Sequence, residues 1–298
     1  MKNKKKRFVP TEESLEISQQ LANKLGFEFH TDKVKHLALN LHRTYFNEII
    51  GLLQLGHAGI DFDPGSIGQI TAFIDPVAEN KGMVFFDEQF DFWLSELVTI
   101  NTIAACKLPP EKDFMKMVAI FEKTLKTFVI PDLHKQTRAA IKPFIFEHSD
   151  VVPLAHELSK AMMVFIICHE IAHKKLGHLG KTKSRIHEFE ADLRALTYFE
   201  KIIALKKEAN YIKLEESFLA APILLMNYLS ILERYLYKKF SIIPSRESHP
   251  APIIRAKKMY EHTNTSRHPK AHEYLEGFLM GLKDIVEELH LPVIKERY

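Results

Sequence analysis

The sequence is poor in cysteine, carries little net charge and has no long hydrophobic run. Its two cysteines, Cys106 and Cys168, lie far apart in apolar contexts, which predicts two buried thiols in a reducing compartment rather than a disulfide framework. The 41 Lys and Arg residues nearly balance the 38 Asp and Glu residues, so the formal net charge is only +3. So small an excess, spread along the chain, gives no electrostatic reason to expect a nucleic-acid partner.

No segment has the composition of a membrane anchor. The longest apolar segment, residues 218–232, contains Pro222, Asn227 and Ser230 and is shorter than the roughly 20 residues that a membrane-spanning helix needs. We interpret it as a buried helix. The basic opening, MKNKKKR, is not followed by the apolar stretch of a secretory signal. We therefore expect a cytoplasmic protein without stable membrane insertion.

Hydrophobic periodicity is helical over most of the chain. It predicts helices near residues 12–25, 32–54, 90–107, 111–128, 132–145, 154–177, 187–207, 215–240, 250–263 and 271–289. The exception is 56–88. Gly and Asp-Pro at 56–68 are typical of turns and loops, and two β-like runs follow, QITAFI and GMVFF, with a predicted turn at 75–81 between them. The predicted fold class is mainly α with a small β-sheet or hairpin.

Domain organisation is weakly marked, because no linker of biased composition interrupts the chain. We divide it into residues 1–150, mostly helical with a small β element near 68–88, and residues 151–298, a second helical region. A single domain is equally compatible with this pattern.

The densest chemistry lies in the predicted helix 154–177. Its sequence HEIAH places His169 and His173 four residues apart, so both imidazoles lie on one helical face where they can share a metal ion. This is the H-E-x-x-H pattern of zinc peptidases, in which Glu170 acts as the general base on water. With 16 histidines in the chain, the pattern arises by accident in roughly one such sequence in 20, so a third ligand is needed to support it.

The next predicted helix supplies the best candidate for that third ligand. Glu188 and Asp192 are four residues apart, and Ala191 and Ala195 keep this side of the helix small enough for close approach. We predict Glu188 as the third ligand and Asp192 as the acceptor for the outer N–H of a ligand histidine.

Three neighbouring side chains are alternatives for the ligand. His178 follows the predicted helix end, where an imidazole can cap carbonyl groups or support the metal indirectly. We interpret His187 as a surface or capping residue and Glu190 as the partner of Arg194 in an exposed ion pair.

Taken together, the motifs resemble those of a known family. HEIAH at 169–173 followed by EFEAD at 188–192 is similar to the H-E-x-x-H and E-x-x-A-D pair of gluzincin peptidases, and SHPAPIIRA at 248–256 resembles the S-H-P-x-x-x-x-R segment of the M48 group. The resemblance implies a zincin-like (gluzincin) core in 151–298 and one Zn²⁺ per chain. It also implies that His249 and Arg255 lie beside the scissile carbonyl group as catalytic residues.

The chain departs from M48 in having no clear membrane spans and only 14 residues between His173 and Glu188. Its length and its central HEIAHKKLGH are more similar to the soluble Lit-type phage-exclusion peptidases, whose substrate is a translation elongation factor. This resemblance implies a zinc endopeptidase in phage defence or a toxin-like response, with a protein substrate of that class. In such enzymes an extended substrate often pairs with a sheet edge. Residues 82–86 are either that edge or an inner core strand.

Two other classes of protein are compatible with these residues. A zinc-containing regulator or binding module would keep the fold without catalysis, although it would have no need for the base Glu170. A helical interaction protein would use the histidines and glutamates as a buried polar network and would bind no stoichiometric zinc.

Overall fold

The computed structural model describes residues 31–56, 59–65, 72–78, 81–130, 133–182, 184–243, 246, 249–263 and 268–292. The helices are α1 (Thr31–Leu52), α2 (Glu88–Lys107), α3 (Glu111–Thr127), α4 (His134–Glu147), α5 (Val152–Lys175), α6 (Arg185–Ala204), a 3₁₀ helix (Glu216–Ala220), α7 (Ala221–Phe240), α8 (Pro252–His262) and α9 (Pro269–Glu288). The strands are β1 (Ile60–Gly65), β2 (Ala72–Ala78) and β3 (Lys81–Asp87). The described chain is mainly helical with one small sheet, which confirms the predicted fold class. The helix predicted at 12–25 lies outside the described residues.

The sheet has the strand order β1-β3-β2, with β1 parallel and β2 antiparallel to β3. The β2–β3 pair confirms the predicted hairpin. The interpretation of 60–65 as part of a turn-rich segment is wrong, because those residues form β1. Ile60 and Phe62 are buried and Asp61 is exposed, so the strand alternates inward and outward despite its aspartates. The sheet places residues 82–86 in its central strand and leaves β2 at an edge.

The predicted turn at 75–81 is also too long, because β2 continues through Pro76 to Ala78 and β3 begins at Lys81. A proline is tolerated there because β2 is an edge strand and need not donate from every amide.

Helix α5 lies at the centre of the described structure. It packs against α2, α6, α7 and strand β2, and its residues from Ala161 to Ala172 are all buried. Pro153 in the first turn suits helix initiation, and Gly177 follows the helix end with a φ of 68°, a left-handed conformation that glycine adopts without strain. The metal-ligand candidates therefore project from a rigid, fully packed element.

The hydrophobic core is continuous along the described chain. Buried apolar side chains from Tyr45 on α1 to Leu291 beyond α9 form one cluster, and the division near residue 150 stays a prediction. The apolar segment 218–232 is buried as predicted, although it begins in the 3₁₀ helix before continuing as α7. Within the parts of the chain that the structure describes, no helix combines the length and apolar character needed to cross a bilayer.

The two cysteines differ in burial. Cys168 is buried in α5 as expected, whereas Cys106 is exposed in the last turn of α2, so its predicted burial is wrong. The apolar stretch before Cys106 is buried, but the helix ends one residue later and the thiol faces outward.

Candidate metal centre

The two histidines of HEIAH lie one turn apart on α5 and point to a common position. Their Nε2 atoms are 3.0 Å apart, and the two rings are nearly perpendicular, with centroids 4.6 Å apart. His169 is buried and His173 is partly buried. The i, i+4 spacing thus produces the geometry that the sequence predicted.

Glu188 reaches this position from the first turn of α6. Ser184 caps the helix by accepting from the backbone N–H of His187 at 3.4 Å, which fixes the helix start. The Glu188 carboxylate then lies 3.5 Å from the Nε2 atoms of both His169 and His173. Ala191 and Ala195 are fully buried, as expected if small residues allow α6 to pack closely on α5.

His169, His173 and Glu188 form a group that can hold a metal ion. Their candidate ligand atoms all lie within 4.8 Å of one another. Two neutral imidazole nitrogens and one carboxylate oxygen are a ligand set that divalent transition metals accept, with room for a further ligand. The predicted ligands are therefore brought together in the described structure.

Asp192 and Arg255 hold the side chains of this group in place. Asp192 Oδ1 lies 3.0 Å from His169 Nδ1, on the side of the ring opposite the candidate metal position. Arg255 on α8 donates to both Asp192 oxygens, from Nε at 2.7 Å and from Nη2 at 2.6 Å, and its Nη1 lies 3.5 Å from Glu188. Two of the three guanidinium nitrogens are thus engaged by Asp192, and Arg255 orients the group as well as lining the cleft.

The electrostatics of the group favour one shared proton when no metal is bound. Burial opposes ionisation of Glu188, but the hydrogen bond from His169 and the charge of Arg255 hold its pKa at about 2. Burial also disfavours a charged His169, yet hydrogen bonds to Asp192 and Glu188 raise its pKa to about 9. Burial and the charge on His169 lower the pKa of His173 to about 3. A metal ion would take the place of the proton on His169.

Glu170 lies in the same cleft, next to the candidate ligands. Burial raises its pKa to about 7, and the positive charges of His169 and Arg255 oppose this rise. Strand β2 lies at an edge of the sheet and packs against α5, and its residues 72–76 line the same cleft. The base candidate therefore sits between helix α5 and an edge strand.

His178 forms a second hydrogen-bonded layer. Its Nδ1 lies 3.0 Å from Nδ1 of His173, its Nε2 lies 3.1 Å from Glu190, and its ring stacks on His187 with centroids 4.3 Å apart. The interpretation of Glu190 as the partner of Arg194 is wrong, because Glu190 pairs with His178 instead. Glu190 is about half exposed and is not part of the His169, His173 and Glu188 group, so Glu188 is the candidate carboxylate ligand.

His249 approaches the group from the segment before α8. Its Nε2 lies 3.5 Å from Glu188, and half of its side chain is exposed. Helix α8, predicted near residues 250–263, begins at Pro252. The reason is that Pro252 disfavours helical geometry in Ala251, whose ψ of 137° is extended.

A cleft of about 520 Å³ connects these side chains. It is lined by β2, by the candidate ligands with Glu170, His249 and Arg255, by the loop carrying Leu179 and Lys181, and by apolar side chains of α2, α5 and α7. The buried candidate ligands can therefore be reached by a molecule larger than water.

Sequence reasoning missed the pairing of Arg255 with Asp192 and the contribution of β2. A buried aspartate requires a cationic or hydrogen-bonding partner, so the expected burial of Asp192 was a signal for the first. The second has no comparable signal, since the run QITAFI does not reveal which strand lies at an edge.

Comparisons with known proteins add no assignment. No family model matches this chain, and no significant match is found among the curated proteins or the solved structures.

Proposed function

We propose that this protein is a zinc-dependent endopeptidase with a gluzincin core. The observation that carries the proposal is the His169, His173 and Glu188 group with Glu170 buried beside it in an open cleft. A structural metal site has four protein ligands and no need for a base, whereas three ligands and a neighbouring carboxylate are the arrangement of a hydrolytic site.

Zinc fits the residues that are present. Two Nε2 atoms and one carboxylate oxygen converge, and Asp192 faces the outer nitrogen of His169, which fixes the tautomer that a metal-binding imidazole needs. When bound, zinc supplies Lewis acidity that polarises the scissile carbonyl group and acidifies water.

Glu170 is the general base. Its position in the cleft lets it accept a proton from the attacking water and pass it to the leaving amine. A carboxylate is suited to both steps, because its ionised form accepts the proton and then gives it up to the more basic leaving amine.

His249 and Arg255 have different roles in this mechanism. The half-exposed His249 donates a hydrogen bond to the oxyanion that develops on the carbonyl oxygen. Arg255 holds Asp192 and faces Glu188, so it acts mainly by positioning the carboxylates and adds positive charge at the cleft wall.

The substrate is an extended polypeptide that pairs with the outer edge of β2. Strand β2 is an edge strand that lines the cleft, and main-chain pairing with it would align a peptide along the metal-ligand helix. The likeness of the motifs to Lit-type peptidases favours a cytoplasmic protein substrate such as a translation elongation factor, and a role in phage defence.

The test compares the wild-type chain with Glu170→Gln in cells, followed by identification of new protein N-termini. An endopeptidase generates cleavage products that are absent with Glu170→Gln, although the purified variant keeps its zinc. Equal effects of both chains in the cell, without new N-termini, would instead favour the zinc-containing regulator.

A further inference from the structure

The chain turns back on helix α5 as soon as the helix ends. The backbone N–H of Gly177 donates to the carbonyl oxygen of Lys174 at 3.1 Å, and that of His178 donates to the carbonyl oxygen of His173 at 3.0 Å. With the left-handed φ of 68° at Gly177, these two bonds form a Schellman motif. The motif places His178 directly beside the candidate ligand His173.

This Schellman motif has an unusual side-chain contact. An apolar contact commonly joins the two positions that His173 and His178 occupy. Here two imidazoles lie in contact instead, with their Nδ1 atoms 3.0 Å apart. The hydrogen bond to the candidate ligand therefore depends on the conformation of the residues that follow α5.

A second turn begins at His178. The backbone N–H of Lys181 donates to the carbonyl oxygen of His178 at 3.2 Å, and Gly180 has a φ of 74°, which the third position of a type II turn requires. His178 and Leu179 thus lie between two glycines with left-handed backbones. Glycine has wide conformational freedom, so a segment with this sequence keeps one conformation only if a side chain anchors it.

Leu179 provides that anchor, because it packs on the sheet at a glycine. A methyl group on Gly82, in the central strand β3, would lie 2.8 Å from Cδ1 of Leu179 and 2.9 Å from Cδ1 of Ile74. Carbon atoms in contact are normally 3.5 to 4.0 Å apart, so no larger residue fits at this position unless its neighbours move. Gly82 is buried, and its φ lies outside the left-handed range. The glycine therefore permits close approach of Leu179 and is not needed for a turn.

We propose that Leu179 is a positioning residue for the metal centre and that Gly82 forms its seat on the sheet. Leu179 anchors the turn to β3, the turn holds His178, and His178 orients His173. The proposal rests on the zinc site of the proposed function. It gives strand β3 a role in zinc affinity that acts entirely through His178.

The test is a double-mutant cycle on zinc affinity, measured on the full chain by competition with a chromophoric chelator. Leu179→Ala should weaken zinc binding by about 10-fold, and by no more than His178→Ala does. In the His178→Ala background the same change should alter the affinity by less than about twofold, because the side chain through which Leu179 acts is absent. Equal effects in both backgrounds, or no effect in the wild type, would overturn the proposal.

A matched variant separates positioning from general loss of packing. Leu154→Ala makes the same change at another partly buried leucine, in the first turn of α5, and should leave the zinc affinity unchanged. Co²⁺ in place of Zn²⁺ should show altered visible absorption bands in Leu179→Ala but not in Leu154→Ala. Should Leu179→Ala lose its native ellipticity, the smaller change Leu179→Val takes its place in the cycle.

The seat on the sheet is tested by adding a methyl group to it. Gly82→Ala should displace Leu179 and weaken zinc binding in the same direction as Leu179→Ala. Gly277→Ala is the control, because the added methyl group on α9 has no atom within 4 Å and should leave the affinity unchanged. An unchanged zinc affinity in folded Gly82→Ala would contradict the assignment of the seat.

The two proposals can fail separately. A loss of zinc affinity in Leu179→Ala that depends on His178, without new N-termini in cells, would support the positioning role and contradict the endopeptidase. New N-termini that depend on Glu170, with unchanged zinc affinity in Leu179→Ala, would leave the endopeptidase standing and overturn the positioning role. A wild-type chain that binds no zinc would overturn both.

Discussion

Nδ1 of His173 lies 3.0 Å from Nδ1 of His178, so this candidate metal ligand is supported by another imidazole rather than by a carboxylate. A metal on Nε2 of His173 leaves the proton on Nδ1, which then donates to His178. His178 must carry its own proton on Nε2, where Glu190 accepts it at 3.1 Å. The three residues form a chain that fixes one tautomer of the ligand.

Replacing His178 with Ala should therefore weaken zinc binding by about 10- to 100-fold. The matched control is His187→Ala, which removes the ring stacked on His178 but no hydrogen bond to His173. Competition with a chromophoric chelator measures both affinities. An unchanged affinity in His178→Ala would show that the chain does not orient the ligand, and Glu190→Gln, which keeps an acceptor oxygen, should lie close to the wild type.

Glu188 and Glu190 give a second matched pair. Glu188→Ala should lose the metal, since its carboxylate lies 3.5 Å from both imidazole Nε2 atoms, whereas Glu190→Ala should retain about one zinc per chain. Metal content of the purified proteins, prepared without added zinc, is the measurement. Retention of zinc in Glu188→Ala would exclude Glu188 as the third ligand.

Removal of Arg255 should destabilise the metal-free fold. Asp192 is 2% exposed and is bound by two guanidinium nitrogens, so Arg255→Met removes both of these hydrogen bonds and leaves His169 as the cationic partner of this buried carboxylate. We expect a loss of about 3 to 5 kcal/mol in the free energy of unfolding, measured with urea. Adding Asp192→Asn to Arg255→Met should recover part of the loss, because it removes the buried negative charge that Arg255 no longer balances. Additive effects of the two changes would contradict the coupling.

Glu170 should make the stability of the metal-free protein depend on pH. Burial raises its pKa from the model-peptide value of 4.5 to about 7, so the folded state holds the proton more tightly than the unfolded chain does. Its contribution is complete below pH 4.5 and is lost as the pH rises to about 7. Glu170→Gln cannot ionise and should exceed the wild type by up to about 3 kcal/mol at pH 8, but not at pH 4.

Urea denaturation at the two pH values, with chelator present, tests this difference. An exposed glutamate on α9, Glu273, provides the control, and Glu273→Gln should follow the wild type at both pH values. The burial argument would be contradicted by equal stability of wild type and Glu170→Gln at pH 8.

The residues that the sequence revealed are those joined by local geometry. His169 and His173 lie close together because they are one turn apart on a helix. The alanines of α6 indicate that this helix packs closely on α5. The tertiary contacts were harder to predict from the sequence. Strand β1 was missed because Asp61 and Asp63 suggest a turn, although Ile60 and Phe62 turn inward, and only the folded chain shows that Arg255 ends on Asp192.

The hydrogen bonds and ion pairs among Asp192, Arg255 and His169 have a consequence for metal binding. They hold the ligand side chains together in the absence of a metal ion. Only 14 residues separate His173 from Glu188, so a bound metal would bridge the ends of a short loop that folding has already brought together. Under the proposed function, folding and metal loading would be separable events, and the metal-free chain would be folded but inactive.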